Sequence, residues 1–303
     1  MTHVLAKTII SLVIIFSLSA CEQEQAAYRP SFSEQAPDSA NTIYLFGIHP
    51  LHNPKRLHEL YGPIMTYINQ HIDDAEFRVE ASRNYQEFDQ KLYAGKFDFA
   101  LPNPFQTLNS LQHGYQVFGK MGDDYNFRGI FLVRRDSGIR EPIDLKGKNV
   151  SYPAKTALAA TMMPQYYLQT HGLNINHDIR NVYVGSQESS IMNVFLGHVS
   201  AAATWPIPWL AFQQQQPDKA DQLELIWQTE PLINNGLVAR KDMPPQLVQR
   251  VATLLTRLHE SPLGQAMLAQ LSLSRFELAT DDDYLIVQNF LDDFHHAIPD
   301  QPE

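Results

Sequence analysis

The chain has 303 residues, of which 44% are hydrophobic and 18% charged, a composition typical of a folded globular protein and not of a disordered or fibrous one. Its formal net charge is -10 at pH 7, and its basic residues are spread along the chain, which excludes a concentrated nucleic-acid-binding surface. This length is sufficient for two domains of ordinary size.

The N-terminal segment predicts export and lipid attachment. A short segment ending at Lys7 is followed by an apolar run over residues 8–17 and then by Leu-Ser-Ala-Cys, which ends at Cys21. The pattern resembles the bacterial lipoprotein signal, so we expect residues 1–20 to be removed and Cys21 to carry lipid, including palmitate. A transmembrane anchor is the alternative, but the apolar run is well short of the roughly 20 residues that a membrane-spanning helix needs.

The single cysteine of the chain restricts the chemistry of the mature protein. If Cys21 is lipidated, then the rest of the chain has no cysteine for a disulfide, a thiolate metal site or a catalytic nucleophile. Residues 21–40 are rich in Gln, Ala, Ser and Pro and predict a flexible tether. We therefore expect an extracytoplasmic domain held at the cell envelope by its lipid.

From Thr42 onward, short apolar runs alternate with segments whose apolar residues recur at helical spacing. Strands are predicted at 43–48, 76–82, 97–101, 116–121, 128–135, 182–186, 201–205, 223–228 and 235–240, and segment 142–153 is predicted to be a short helix followed by a strand. Helices are predicted at 54–72, 84–95, 103–114 and 189–198, and the chain after the last strand is predicted to be helical. This order indicates two α/β units with mostly parallel sheets, which place ligands at the carboxyl ends of the strands.

Six sequence elements, in order along the chain, resemble the phosphate/phosphite/phosphonate substrate-binding proteins of ABC transporters. They are FGIHP, AGKFDFAL, FRGIFLVRRDSGI, IDLKGKNV, GSQESSIMNVFLG and LATDDDY. The resemblance implies a two-lobed type II periplasmic binding protein fold, with one lobe formed by 41–127 plus 235–303 and the other by 128–234. It also implies a ligand cleft between the lobes, closed by a hinge, and no catalytic activity.

The same resemblance implies four contacts to a phosphoryl group, and this chain replaces all of them. Pro164 aligns the family's Ser-Thr-Ser-Gly run with Ala157, Leu158, Ala159 and Ala160. The family's Tyr, His and Asp positions fall on Pro102, Gln187 and Trp205. A hydroxyl that donates to a charged oxygen contributes about 1.5–3 kcal/mol, so the ligand is not expected to be held as an ordinary phosphonate is. Backbone amides at the start of the helix still favour negative charge.

The candidate ligand-binding residues lie at or just beyond the carboxyl ends of predicted strands. They are His49, Asn103, Tyr152, Thr156, Ala157, Leu158, Gln187, Thr204 and Trp205. For His49 the alternative is a polar loop residue, and for Tyr152 it is ordinary packing. Trp205 is expected in the cleft, whereas Trp209 and Tyr125 are expected in the core or at the surface. Glu188 is either a partner for an amine or a favourable charge at a helix start.

The predicted function is that of a monomeric solute-binding lipoprotein that delivers a small oxyanion to an ABC permease. Two alternatives stay open: a ligand sensor whose partner is a histidine kinase, and a binder of a different small organic compound. No cofactor or metal is expected, because the sequence has no HExxH motif and Asp281–Asp283 lacks the ligand spacing of a calcium loop. No catalytic residue is predicted.

Overall fold

The computed structural model describes residues 42–299. The predicted signal peptide at 1–20, the lipidated Cys21 and the tether at 21–40 lie outside the described residues. In chain order the strands are β1 Thr42–Ile48, β2 Ala75–Ala81, β3 Phe99–Leu101, β4 Tyr115–Met121, β5 Ile130–Arg134, β6 Asn149–Tyr152, β7 Arg180–Tyr183, β8 Ala201–Thr204, β9 Leu223–Gln228, β10 Gly236–Arg240 and β11 Phe276–Glu277.

Ten α-helices accompany these strands within residues 42–299: α1 Pro54–His71, α2 Tyr85–Tyr93, α3 Pro104–Ser110, α4 Met163–Thr170, α5 Gln187–Phe195, α6 Pro206–Gln215, α7 Pro217–Ala220, α8 Pro245–Thr256, α9 Pro262–Gln270 and α10 Leu285–Ala297. A short π-helical segment, Leu158–Met162, leads directly into α4. In this described part of the chain, no helix combines the length and the apolar character that a membrane span requires.

The strands form two sheets, in the orders β11-β4-β10-β3-β1-β2 and β7-β6-β8-β5-β9. In the first sheet, β1 pairs in parallel with β2 and β3, whereas β10 is antiparallel to both β3 and β4. In the second sheet, β6 is parallel to β7 and β8, whereas β5 is antiparallel to β8 and β9. The predicted α/β architecture, with most strands of each sheet running one way, is confirmed. Of the reversed strands, β5 and β10 lie inside the sheets, whereas the short strand β11, antiparallel to β4, lies at an edge of the first sheet.

The helices form where the sequence pattern places them. Asn53 begins α1, because its side chain accepts a hydrogen bond from the backbone N–H of Arg56 and Pro54 occupies the first turn. The apolar face of α1 is buried and includes Leu57, Leu60, Tyr61, Ile64, Met65 and Ile68. Burial of each such side chain contributes about 1.5–3 kcal/mol, so this face fixes α1 against the first sheet.

Two connecting segments, residues 122–129 and 229–235, link the sheets and are called the crossing segments below. They run side by side: the backbone N–H of Leu232 donates to the carbonyl of Phe127 at 2.9 Å, and Nδ2 of Asn234 donates to the carbonyl of Gly122 at 2.7 Å. Paired segments of this kind can act as a hinge because few residues absorb the rotation. The lobe boundaries at 127/128 and 234/235 stay a prediction.

Candidate ligand-binding site

A small cavity lies where residues of both sheets and both crossing segments meet. Its volume is about 10 Å³, which is close to the minimum needed for a single water molecule. Its lining comprises His49, Tyr85, Asn103, Phe127, Ala157, Leu158, Ala159, Ala160, Gln187, Trp205 and Asn235. None of these side chains is an acid, a lysine or an arginine.

The strands of the first sheet bring three polar residues to one side of the cavity. His49 follows β1 and Asn103 follows β3, and these strands pair in parallel, so their carboxyl ends lie at the same edge. Asn235 immediately precedes β10, which runs antiparallel to β3, so the start of β10 reaches that edge too. Asn103 also caps α3, since its Oδ1 accepts from the backbone N–H of Gln106.

His49 is almost completely buried and its tautomer is defined by a neighbour. Its Nδ1 lies 2.9 Å from the carbonyl oxygen of Leu101. Because a carbonyl oxygen only accepts, Nδ1 carries the proton and neutral His49 has Nε2 as a bare acceptor. Burial lowers the pKa of His49 from 6.5 to about 4, despite the favourable hydrogen bond to Leu101, so the ring is neutral near pH 7.

The second sheet contributes an apolar wall and one carboxamide. The wall consists of Ala157 and the first residues of the π-helical segment, together with Trp205 at the end of β8. The ring of Trp205 lies 5.5 Å from that of Phe127, centroid to centroid. Gln187, the first residue of α5, is held by Thr204, whose hydroxyl donates to Gln187 Oε1 at 2.8 Å.

Hydrogen bonds join the two sides of the cavity. Gln187 donates from Nε2 to the hydroxyl oxygen of Tyr85 at 3.1 Å. Asn103 donates from Nδ2 to the carbonyl of Thr156 at 2.8 Å, and the Thr156 hydroxyl donates to Asp89 Oδ2 at 3.1 Å. These contacts hold the helices that follow the first sheet against the loops that follow the second sheet, and so define a closed arrangement.

Asp89 is the acidic group of this bridging network. Its Oδ1 accepts from Nε2 of Gln106 at 2.6 Å, while its Oδ2 accepts from Thr156. Burial raises the pKa of Asp89 from 3.8 to about 6, although both hydrogen bonds act in the opposite direction. Near pH 7 the group is mainly a carboxylate, which adds negative potential beside the cavity.

Two larger clefts adjoin the cavity. One, of about 380 Å³, includes Gln187 and the charged side chains Lys55, Arg56, Glu59 and Glu188. The other, of about 550 Å³, includes Tyr85 and Asp89. A compound larger than a few atoms therefore needs either one of these clefts or a separation of the two sheets.

The structure brings six of the nine candidate residues together in the cavity lining: His49, Asn103, Ala157, Leu158, Gln187 and Trp205. The other three lie behind the lining. Tyr152 is fully buried beside Tyr183 on the second sheet, and its hydroxyl has no hydrogen-bond partner. Thr156 and Thr204 direct their hydroxyls to Asp89 and Gln187, because buried hydroxyls need partners. Direct ligand contact by any of the nine stays a prediction.

The structure also shows where Trp209, Tyr125 and Pro102 lie. Trp209 is buried against Phe212, with ring centroids 5.9 Å apart, and Tyr125 is exposed at the surface. Pro102, at the position where the family resemblance implies a Tyr, is not part of the cavity lining. Among residues 42–299, no group of three or more His, Cys, Asp or Glu side chains is placed to hold a metal ion.

Five lining residues are not among the nine candidates: Ala159 and Ala160, which the family resemblance aligns with the Ser-Thr-Ser-Gly run, and Tyr85, Phe127 and Asn235, which sequence reasoning missed. Tyr85 begins α2 just beyond β2, a strand end of the kind that predicted the others. Phe127 and Asn235 belong to the crossing segments, whose positions were predicted but whose side chains were not assigned to the site. Asn235 was hard to find because its strand is reversed, so the amino end of β10 supplies the residue.

Comparison with known families identifies this architecture. The family model of the ABC transporter, phosphonate, periplasmic substrate-binding protein matches residues 46–284. The chain belongs to this phosphonate-binding protein family. The family is one of substrate-binding proteins and not of enzymes, which agrees with the absence of catalytic residues expected from the sequence.

Relatives of this phosphonate-binding family share the fold at low sequence identity. A probable ABC transporter phosphite-binding protein, PhnD1 of Prochlorococcus marinus, is 25% identical over 146 residues, which cover 46% of this chain and 48% of that protein. The chain thus aligns with about half the length of this curated relative. A binding protein component of an ABC phosphonate transporter from Pseudomonas aeruginosa superposes with a TM-score of 0.79 at 16% identity, covering 85% of this chain and 88% of that one.

A second solved structure, PhnD1 of Prochlorococcus marinus in complex with methylphosphonate, gives a TM-score of 0.76 at 17% identity and covers 82% of this chain and 97% of that one. These likenesses show the predicted type II periplasmic binding fold, with two sheets and flanking helices.

Proposed function

We propose that this protein is the extracytoplasmic substrate-binding component of an ABC transporter, which captures a small compound between two lobes and delivers it to a permease. The lobes are residues 41–127 plus 235–303 and residues 128–234. The observation that carries the proposal is the cavity at the meeting point of the two sheets, lined from both sides and bridged by the Gln187–Tyr85 and Asn103–Thr156 hydrogen bonds. Membership of the phosphonate-binding family supports the transport role.

The paired crossing segments support a binding cycle with an open and a closed form. Separation of the lobes breaks bridging hydrogen bonds, each with a net value of about 0.5–1.5 kcal/mol, and also parts apolar contacts such as that between the rings of Tyr166 and Phe290. A ligand that fits both sides shifts the equilibrium toward the closed form by its differential affinity. The permease is then expected to recognise the closed form.

Lipid attachment at Cys21 is part of the proposal. It rests on the single cysteine of the chain, which stands directly after an apolar segment and Leu-Ser-Ala. Metabolic labelling with a palmitate analogue tests it: label should enter the full chain and be absent from the Cys21→Ser variant. Equal labelling of both proteins would exclude this anchor.

Transport is tested by reconstitution. The full chain, added to proteoliposomes containing its candidate ABC permease and ATPase, should stimulate ATP hydrolysis in the presence of a bound compound. Small-angle scattering of the same protein should show a smaller radius of gyration when the compound is added. A chain that binds and closes without stimulating any neighbouring permease would contradict transport and favour a sensory role.

A further inference from the structure

The unpartnered polar atoms of the cavity define the hydrogen bonds that its ligand has to make. Asn235 is 0% exposed and lines the cavity, and its Oδ1 has no hydrogen-bond partner. Its Nδ2 lies 3.3 Å from the sulfur of Met121. Because a thioether accepts but cannot donate, this orientation of the amide is the favourable one, and it leaves an acceptor oxygen unsatisfied.

His49 supplies a second acceptor on the same side. It is 2% exposed, and its Nδ1 proton is used by the carbonyl of Leu101. No hydrogen bond to Nε2 is seen among residues 42–299. Nε2 is therefore an available acceptor, whereas Oδ1 of Asn235 is the acceptor that is both buried and unpartnered, a costly state that natural proteins retain mainly where a ligand or water satisfies it.

The lining of the cavity lacks cationic side chains, although Lys55, Arg56 and Lys155 line the two adjoining clefts. The nearest acid in the bridging network, Asp89, is linked through Thr156 to the lining residue Asn103. The backbone N–H groups at the start of the π-helical segment face these acceptors. They have no partner within the segment, because its first hydrogen bond runs from the N–H of Met162 to the carbonyl of Ala157. The cavity thus offers the acceptors of Asn235 and His49 together with neutral donors, which are these backbone N–H groups and the Tyr85 hydroxyl.

We infer, building on the proposed transport function, that the ligand is a small uncharged or zwitterionic compound with an N–H group that donates to Asn235 and His49, and not a phosphonate dianion. A dianion has no proton for either acceptor and places negative charge against both. An amide or an ammonium group supplies two or more donors from one atom, and the faces of Phe127 and Trp205 suit the uncharged remainder of the compound.

Isothermal titration of the full chain with matched compounds tests this inference. The pairs are acetamide against acetate, and aminomethylphosphonate against methylphosphonate, at a pH at which methylphosphonate is a dianion and the ammonium group of aminomethylphosphonate is still protonated. In each pair the member with N–H donors is expected to bind at least about 10-fold tighter, since it satisfies acceptors that its partner leaves unpaired. Tighter binding of methylphosphonate, or no binding by any donor-bearing probe, would overturn the inference.

Two variants of one position sharpen the test. Asn235→Asp keeps the shape and the acceptor, so affinity for the best donor-bearing probe should stay within about threefold, whereas an anionic ligand would lose at least about 10-fold by like-charge repulsion. Asn235→Leu removes the acceptor and should lose at least about 10-fold. Asn176→Leu, at an exposed position, is the matched control and should change nothing.

A second readout does not depend on the stability of these variants. In protein labelled with ¹⁵N-histidine, the Nε2 resonance of His49 should shift when a donor-bearing probe is added, because its lone pair becomes hydrogen bonded. An unchanged resonance at saturating probe would overturn the role of His49. If methylphosphonate instead binds tightly and closes the lobes, the transport function stands and only this inference of ligand class fails.

Discussion

Gln187 and Tyr85 form a hydrogen bond of 3.1 Å that connects the first residue of α5 with the first residue of α2. Gln187 is held in place by Thr204, and Tyr85 packs edge-on to His49 with ring centroids 6.3 Å apart. One bond therefore links the helix after the second sheet, the helix after the first sheet and the buried imidazole. Protein side chains nearly fill the cavity. Direct contacts between them, such as the Gln187–Tyr85 hydrogen bond, therefore hold the closed arrangement together.

Removing the Tyr85 hydroxyl should favour the open form. In Tyr85→Phe the carboxamide of Gln187 loses its acceptor across the cleft, and we expect the closed form to lose about 0.5–1.5 kcal/mol. Single-molecule energy transfer between labels on the two sheets measures the closed fraction. Tyr125→Phe removes a hydroxyl from a side chain that is 60% exposed and should leave the closed fraction unchanged. Equal closed fractions in all three proteins would show that this bond does not contribute to closure.

Asp89 should make stability depend on pH between about 4 and 6. Its folded pKa of about 6 lies above the ordinary 3.8, so the folded protein binds the proton more tightly than the unfolded chain does. The resulting stabilisation is fully present below about pH 4 and is lost as pH rises through 6, a change of at most about 3 kcal/mol.

Urea unfolding of the wild type and Asp89→Asn over this range isolates the effect of Asp89. Asparagine does not titrate, so the difference in unfolding free energy between the two proteins should shift in favour of the variant as pH rises from 4 to 6. Other carboxyl groups titrate equally in both proteins and cancel. A difference that is independent of pH would mean that Asp89 is not buried as the structure shows.

Restoring hydroxyls at the start of the π-helical segment should create affinity for phosphonate. Ala157→Ser with Ala159→Ser returns two donors to positions that line the cavity, while Leu158 keeps its packing. A donor to a charged oxygen contributes about 1.5–3 kcal/mol, so the pair should strengthen methylphosphonate binding by at least about 10-fold in titration calorimetry. Ala269→Ser, on the exposed face of α9, is the control. No gain in the double variant would indicate that the missing hydroxyls are not what limits anion binding.

Two glycines should respond in opposite directions to alanine. A Cβ on Gly129, in the first crossing segment, would lie 2.7 Å from the carbonyl oxygen of Ala159 and from Pro164, so overpacking should destabilise the fold by about 1–3 kcal/mol. Gly62 lies inside α1 with no atom within 4 Å of such a Cβ, and its replacement should stabilise by about 0.5–1 kcal/mol. Thermal unfolding of both variants measures the contrast. If Gly129→Ala left the thermal stability unchanged, the first crossing segment would have to shift easily to accommodate the added methyl group.

Much of the fold could be predicted because its strands and helices are locally consistent. The run Ile43–Ile48 predicts a buried strand, and the strand forms, although only its second half is buried and Ile43 is exposed; the helix after it begins at Asn53 and Pro54, as the capping pattern indicates. What local pattern could not give is strand direction. β10 has the same apolar character as its neighbours β3 and β4, which run in the same direction as each other. It nevertheless lies antiparallel to both, because the chain returns from the second sheet through a crossing segment.

The site was predicted in part for the same reason. Residues that follow parallel strands, such as His49 and Asn103, could be placed by the rule that ligands bind at carboxyl ends. Asn235 precedes a reversed strand, and Tyr85 enters from a helix start beside it. Whether Tyr152 faces a cleft or a core depends on which side of β6 is covered, and this is settled only by packing.

The sequence by itself determined the α/β class, the order of elements, the family and the loss of the hydroxyls around Ala157. These follow from periodicity, capping and collinear motifs, which are local properties of the chain. Only the tertiary structure decided that neutral groups converge on a cavity of about 10 Å³, that Nδ1 of His49 bonds to Leu101 while Oδ1 of Asn235 has no partner, and that Asp89 is half-buried nearby. Hydrogen-bond polarity and desolvation depend on neighbours distant in sequence, which the fold alone brings together.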